Sequence, residues 1–111
     1  MNLLELKEMI AGGESEQVEF KRSTGQRLDG IKTACAMLNG GGGYVFFGIT
    51  DKGEIVGQQV SSRTIDEISN ELRRIEPPVF PEIEIISLGT GLSVITIQIP
   101  SGDGTYTFDG R

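Results

Sequence analysis

The sequence predicts an α+β fold of two layers, in which a mixed β-sheet carries its helices mainly on one face. Three observations support this class: an alternating polar and apolar stretch, two helical stripes of apolar residues, and two β-rich runs joined by Gly89-Thr90-Gly91. After a leading helix, the predicted order is strand, helix, strand, helix, strand, strand. The 111 residues suffice for a single domain, residues 1–111, with one modest core.

Capping and alternation define the first two elements. Asn2 and Glu5 form a capping pair, which predicts a helix from about residue 3 to residue 10. The stretch Glu14–Lys21 then alternates in polarity, as a half-buried strand does. Its apolar side is formed by Val18 and Phe20, and its charged side by Glu19 and Lys21.

The second helix leads into a glycine-rich segment and a buried strand. Residues 23–26 are expected to form a loop, and Ile31, Ala34, Cys35 and Leu38 mark one face of a helix over residues 28–38. The glycines at 40–43 end this helix and turn the chain into the apolar run Tyr44–Ile49, which reads as the central strand. Asp51-Lys52-Gly53 predicts a turn, and residues 54–57 a short returning arm.

The third helix predicts a second apolar stripe on the same face of the sheet. Thr64 and Glu67 fit a capping box, the stripe consists of Ile65, Ile68, Leu72 and Ile75, and Pro77-Pro78 ends the helix. Arg73 and Arg74 near its end complement the helix dipole. A hairpin over residues 82–99 and a final strand within residues 105–108 complete the expected fold.

Composition excludes several classes of function. No apolar run is long enough to span a membrane, and no basic, apolar leader is visible at Met1. The chain lacks histidine, which removes His-based zinc sites and Ser-His-Asp triads. Its one cysteine, Cys35, lies on an apolar helix face, so we expect a buried thiol and a reducing, cytoplasmic location.

A local basic cluster stands out from the acidic background. The net charge of −6 argues against a protein that coats nucleic acid by bulk charge. The segment from residue 21 to residue 32, however, contains four basic residues and a single acid, Asp29. We expect these residues, with Gly41 and Gly42 allowing close backbone approach, to contact phosphates; the basic ones are Lys21, Arg22, Arg27 and Lys32.

Two interpretations apply to the acidic residues near the first strand. Glu19 and Lys21 share one strand face, and metal-dependent nucleases use such a pair to hold Mg²⁺ or Mn²⁺ and to steady the attacking water. The same pair also fits a solvated strand face with a cross-face salt bridge, which is the far commoner arrangement. Asp51 is a further candidate carboxylate, although a turn residue there needs no other role. The glycines do not form a P-loop, because they open a strand and no Gly-Lys-Ser/Thr follows.

Taken together, these motifs resemble the AlbA_2 domain, also called the Schlafen AlbA-like or divergent AAA-4 domain. Its opening Glu-Ser-x-x-x-Glu-Phe-Lys is matched by Glu14–Lys21, and its Ala-Phe-Ala-Asn-x-Gly-Gly helix end loosely by Cys35–Gly41. The block Gly-Gly-x, three apolar residues, Gly, an apolar residue, x-Asp-x-Gly is matched by Gly42–Gly53, and a short Ile-Val-Gly follows at residues 55–57. Met37-Leu38 departs from the usual Phe-Ala, and the chain stops before the family's Tyr-x-Arg-x-Gly strand, so we expect a fragment of a longer protein.

The resemblance implies an Alba/Schlafen-core-like fold and a nucleic-acid-binding role, on DNA or RNA, in transcriptional-regulator-like or helicase-like proteins with a further C-terminal domain. In some Schlafen relatives two glutamates and an aspartate form an endoribonuclease site. Carried over, these are Glu14, Glu19 and Asp51, with Lys21 beside them and Mg²⁺ or Mn²⁺ as the cofactor.

Three functions therefore stay open. A nucleic-acid-binding module, most simply a DNA-binding one, is the first; a Schlafen-type nuclease is the second; an interaction or homodimerisation domain is the third. For the nuclease, Glu19 and Asp51 should approach one another with Lys21 on the same face, and Lys21 or Arg22 should act as a counter-charge.

Overall fold

The computed structural model describes residues 1–111 and has an α+β architecture. Three helices, a four-stranded mixed sheet and a two-stranded sheet make up the fold. The helices are α1 (Leu3–Ala11), α2 (Arg27–Leu38) and α3 (Ser62–Leu72). The strands are β1 (Val18–Lys21), β2 (Gly43–Phe47), β3 (Ile75–Glu76), β4 (Glu82–Ser87), β5 (Ser93–Ile99) and β6 (Thr107–Phe108).

The main sheet has the order β1-β2-β5-β4. Strands β1 and β2 run parallel, whereas β5 is antiparallel to both β2 and β4. The prediction of a central strand is confirmed, because β2 lies between β1 and β5. The returning arm also forms, as a bridge between Ile49 and Ile55.

The two helix stripes pack on one face of this sheet, as predicted. Ile31, Ala34 and Leu38 of α2 share a hydrophobic cluster with Ile68 and Leu72 of α3. The opposite face is covered by α1, whose Leu6 and Ile10 pack with Phe20, Phe46 and Val94. The helices therefore lie mainly on one face, with α1 as the exception.

The boundaries of α3 differ from the sequence expectation. Its N-cap is Ser61, whose hydroxyl group accepts the amide of Thr64, so Thr64 lies inside the first turn. The helix ends at Leu72, and Ile75 belongs to β3, which pairs with β6. Ile75 is still buried in the same cluster, because a short strand continues the apolar stripe after the helix ends.

The glycine segment is a crossing point of three chain segments. A Cβ atom on Gly43, whose φ is 153°, would lie 2.4 Å from the carbonyl oxygen of Gln17. A Cβ atom on Gly42, whose φ is 76°, would lie 2.6 Å from the carbonyl oxygen of Ile99. Only glycine permits this approach, so these glycines have the architectural role that the sequence indicated. None of the helices is long and apolar enough to cross a membrane.

Candidate functional site

A concave surface that encloses a volume of about 590 Å³ lies between α2, the end of α3 and the segment around β6. Helix α2 contributes Lys32, Cys35, Ala36 and Asn39, which are spaced along one helix face. The rest of the lining consists of Arg74, Tyr106, Phe108, Asp109 and Arg111. We call this surface the basic groove, because three of its side chains are cationic and one is anionic.

The Phe108 ring organises the cations of the basic groove. It is almost fully buried, and β6 fixes it by pairing with β3. The Arg74 guanidinium carbon lies 4.6 Å from the ring centre, and the Lys32 ammonium nitrogen lies 5.9 Å from it. Because the face of an aromatic ring attracts cations, Phe108 favours the placement of both charges in one small area.

Arg74 also ties the C-terminal segment to α3. Its Nε donates to Asp109 Oδ1 at 2.9 Å, and its Nη1 donates to Glu71 Oε2 at 2.7 Å. The Asp109 amide donates in turn to the Arg74 carbonyl group at 2.8 Å. The hydrogen bond from Arg74 holds the pKa of Asp109 below its usual value, and the same carboxylate raises the pKa of Arg74. Lys32 and Arg111 have no carboxylate within 4.0 Å, although both act on Asp109 at longer range and help to lower its pKa.

Asn39 closes one wall of the groove. Its Nδ2 donates to the Tyr106 carbonyl group at 2.7 Å, and its Oδ1 accepts the Tyr106 amide at 2.9 Å. This two-point contact joins the end of α2 to the segment that precedes β6. The half-buried Tyr106 ring packs against Gly102, where a Cβ atom would lie 2.4 Å from it.

The four basic residues between positions 21 and 32 lie in different parts of the structure. Lys21 pairs with Glu19 at 3.4 Å, and Arg27 pairs with Glu67 at 3.2 Å and Glu71 at 3.8 Å. Arg22 is exposed and lines a small depression with Asp51. Of the four, Lys32 alone lines the basic groove.

The other two residues expected near nucleic acid lie in the glycine segment. Gly41 is exposed, and its carbonyl group accepts a hydrogen bond from the Gln17 side chain at 3.3 Å. Gly42 is buried, and its amide donates to the Met37 carbonyl group at 2.9 Å. A role for Gly41 in ligand contact stays a prediction.

The carboxylates are not arranged as the metal hypothesis expected. No group of three or more acidic or cysteine side chains in the chain is placed to hold a metal ion. Glu14 accepts the Phe20 amide at 2.8 Å, Glu19 pairs with Lys21, and Asp51 is exposed in the turn after β2. These three acids therefore do not form such a group in this structure, since Glu14 accepts the Phe20 amide and Asp51 lies in the turn after β2, and their assignment as metal ligands stays a prediction.

Two details of that hypothesis did hold. Glu19 and Lys21 share a strand face, and Lys21 is the counter-charge of Glu19. This is also what the simpler salt-bridge interpretation predicted. Mg²⁺ and Mn²⁺ need several oxygen ligands around one point, and these residues do not form such a group here. The catalytic assignment of Glu14, Glu19, Lys21 and Asp51 is not tested by this arrangement and stays a prediction.

A second concave surface lies on the other side of Ala36, and its charge is opposite. It is lined by Glu16 and Glu19 together with polar side chains and the backbone of Gly40 and Gly41, without a basic residue. Helix α2 thus separates a basic surface from an acidic one. A polyanion would be attracted to the first surface and repelled by the second.

The family can now be stated from comparison with known proteins. The Schlafen AlbA_2 family model matches residues 14–110. The chain belongs to the Schlafen AlbA_2 family. The resemblance of its Glu-Ser and glycine motifs is thereby confirmed, and the matched AlbA_2 region includes β6 and all but the last residue of the basic groove.

Two solved structures share the fold of this AlbA_2 domain. One is the solution structure of the N-terminal domain of a RecG-related protein from Nitrosomonas europaea, with 24% identity and a TM-score of 0.68, covering 95% of this chain and 76% of that one. The other is the DIP2311 protein from Corynebacterium diphtheriae, with 18% identity and a TM-score of 0.63, covering 96% of this chain. The AlbA_2 domain spans 23% of the DIP2311 chain, so in that protein the fold is part of a larger chain.

Sequence reasoning missed most of the basic groove. Arg74 was attributed to the helix dipole, and Tyr106 and Phe108 were recognised only as strand residues. A useful signal was present in the sequence, because Thr105–Phe108 alternates and is followed by Asp109 and Arg111, an acid and a base beside an aromatic residue. Their proximity to Lys32 depends on the pairing of β3 with β6, which no local pattern specifies.

Proposed function

We propose that this AlbA_2 domain binds nucleic acid, with the basic groove as its phosphate-contacting surface. The observation that carries the proposal is that Lys32 and Arg111, which have no carboxylate within 4.0 Å, lie together with Arg74 on one concave surface of a chain with a net charge of −6. Arg74 is already paired with Asp109 and Glu71, so Lys32 and Arg111 are the cations that a phosphate would meet first. The RecG-related protein is named after a DNA helicase, which favours DNA as the polymer and a role within a larger regulatory or helicase-like protein.

The geometry of the groove suits a phosphodiester backbone. Lys32 and Arg111 offer charges without a carboxylate partner, and Arg74 keeps its orientation through Asp109 and Glu71. Asn39 and the backbone around residues 106–109 add polar groups at the rim. Phosphate contacts of this kind position a polymer without reading its sequence.

Because few cations are involved, binding should be weak and strongly salt-dependent. Two or three neutralised phosphates give a slope of about −2 to −3 in log affinity against log salt. The affinity should therefore fall about 16- to 64-fold between 50 and 200 mM salt. Lys21 and Arg27 should contribute little, since carboxylates already neutralise them.

Fluorescence anisotropy of a labelled DNA oligonucleotide at these two salt concentrations tests the proposal. Lys32→Gln should weaken binding and reduce the salt slope by about one. The matched control is Lys7→Gln, an exposed lysine of α1 on the opposite face of the sheet, which should change neither quantity. An RNA oligonucleotide of the same sequence distinguishes the two polymers. Binding that ignores salt, or that responds equally to both substitutions, would contradict the proposal.

A further inference from the structure

The two edge strands of the main sheet, β1 and β4, differ in whether their outward backbone amides have hydrogen-bond acceptors within the chain. At the β1 edge, the chain itself satisfies the outward amides. Val18 donates to the Ser15 carbonyl group at 3.3 Å, Phe20 to the Glu14 carboxylate at 2.8 Å, and Arg22 to the Gln26 side chain at 2.9 Å. This edge cannot accept another strand without breaking those bonds.

The β4 edge is open. Leu88 and Leu92 close the hairpin with a hydrogen bond, so the even-numbered residues of β4 bond to β5 and the odd-numbered ones face outward. The outward amides belong to Ile83, Ile85 and Ser87, and no group of the chain accepts them. Neither a lysine nor a proline lies within Glu82–Ser87, although such residues commonly protect exposed edges.

Apolar side chains accompany this open edge. Ile85 is 51% exposed within the strand, and Phe80 is 94% exposed two residues before it. Ile85 lies on the sheet face that carries α2 and α3, as its pairing with the buried Ile95 requires. An edge that combines free amides with exposed apolar side chains is suited to strand addition.

We propose that the β4 edge binds the β4 edge of a second copy of this chain, in antiparallel orientation. Three symmetric registers would place outward residues opposite one another, with the two-fold axis at residue 84, 85 or 86. The axis at 84 sets Glu84, together with the Met1 ammonium group that pairs with it at 2.6 Å, against its own copy, and it places Ser87 opposite Pro81, which has no amide to donate. The axis at 86 pairs Ile83 with Gly89 of the turn, outside the strand.

The axis at Ile85 avoids both problems. It pairs Ile85 with its copy and Ile83 with Ser87, so every outward amide of β4 meets a strand residue. Glu84 then faces Ile86, and Glu82 faces Leu88, so that no two acids are directly opposed. The sheets of the two copies become continuous across the axis. Since each copy carries a net charge of −6, salt should strengthen this association, whereas it weakens nucleic-acid binding.

Sedimentation velocity over a concentration series tests the proposal. The chain should show a reversible monomer–dimer equilibrium that shifts to dimer at higher salt. Ile85→Lys places like charges at the axis and should raise the dimer dissociation constant at least about tenfold. Leu28→Lys, the same change of charge at an exposed leucine of α2, is the control and should leave the equilibrium unchanged.

Cysteine cross-linking tests the register independently. Under mild oxidation, Ile85→Cys should form a covalent dimer, because paired residues at the axis lie about 5.5 Å apart between Cα atoms. Glu84→Cys is the matched variant and should cross-link much more slowly. A chain that stays monomeric at every concentration, or equal cross-linking of the two variants, would overturn the proposal and leave this edge to a different partner.

Discussion

The segment Lys21–Lys32 and the basic groove differ in how they assemble positive charge. The segment holds four basic residues within twelve positions, yet two of them are neutralised by Glu19, Glu67 and Glu71. The groove takes its cations from positions 32, 74 and 111, far apart in sequence, and two of them, Lys32 and Arg74, lie over one aromatic ring. Arg74 is paired with Glu71 and Asp109, whereas Lys32 and Arg111 have no carboxylate within 4.0 Å. Density of charge along a chain is thus a poor measure of charge available to a ligand, because neighbouring elements supply counter-charges.

Removing the Arg74 side chain should have the largest effect on nucleic-acid binding by the basic groove. Arg74→Ala deletes one groove cation and also releases Asp109, so the C-terminal segment loses its tether to α3. Nucleic-acid affinity should fall about tenfold or more, because the released segment no longer holds Arg111 beside Lys32, whereas the Arg74 charge itself is already offset by Asp109 and Glu71. Arg73→Ala, at the exposed neighbouring position, is the control. Equal affinity of the two variants in an anisotropy titration would show that the groove is not the binding surface.

Arg27 should matter for stability and hardly for binding. Arg27→Ala removes the ion pairs that join α2 to α3, and the free energy of unfolding should fall by about 0.5–1 kcal/mol. Arg22→Ala removes an exposed arginine of the same segment that has no carboxylate within 4.0 Å, and should change stability much less. Urea denaturation measures both. A larger loss of nucleic-acid affinity for Arg27→Ala than for Lys32→Gln would reverse the assignment of the two regions.

Acid should loosen the groove only below the ordinary aspartate pKa of about 4. The pKa of Asp109 is lower in the folded state, so its pair with Arg74 stabilises the fold above that value. That contribution disappears as the pH falls through the lowered folded-state pKa. NMR shifts of residues 106–109 that report the tether should therefore stay constant on acidification until the pH falls below about 4. In Asp109→Asn this change should be absent, and a titration identical to that of the original chain would argue against the tether.

Divalent metal should have the smallest effect. Since Glu14, Glu19 and Asp51 are not gathered around one point, millimolar Mg²⁺ or Mn²⁺ should leave the melting temperature nearly unchanged. Glu19→Gln serves as the comparison, because it removes the acid that the metal hypothesis needs most. A clear rise in melting temperature that Glu19→Gln abolishes would restore the nuclease hypothesis for this chain.

Local pattern was sufficient for most of the fold. The capping pair at Asn2 and Glu5, the stripe of α2 and the hairpin of β4 and β5 all form where periodicity and turn chemistry indicated. The end of α3 was misjudged because Ile75 continues the helical spacing while its backbone turns into β3. Helical and extended segments can present an apolar residue to the same core, so spacing alone does not distinguish them.

The candidate site was less predictable for a related reason. Individual residues of the basic groove are visible in the sequence, but their meeting depends on β3 pairing with β6 and on Asn39 holding Tyr106. These contacts span 31 to 67 positions along the chain. The carboxylates Glu14 and Asp51 come from two separate motifs, and the fold does not bring them into a group that could hold a metal ion.

The chemical reactivity of the single cysteine, Cys35, can be used to measure the opening of the domain. This thiol is 6% exposed, lies at the floor of the basic groove, and burial raises its pKa, so little of the reactive thiolate is present at neutral pH. A thiol-specific dye should therefore label the folded chain slowly, at a rate set by transient opening. The chain has no other thiol, so the labelling rate of Cys35 measures how often the core around it opens. A ligand bound in the basic groove would lower that rate by covering the thiol.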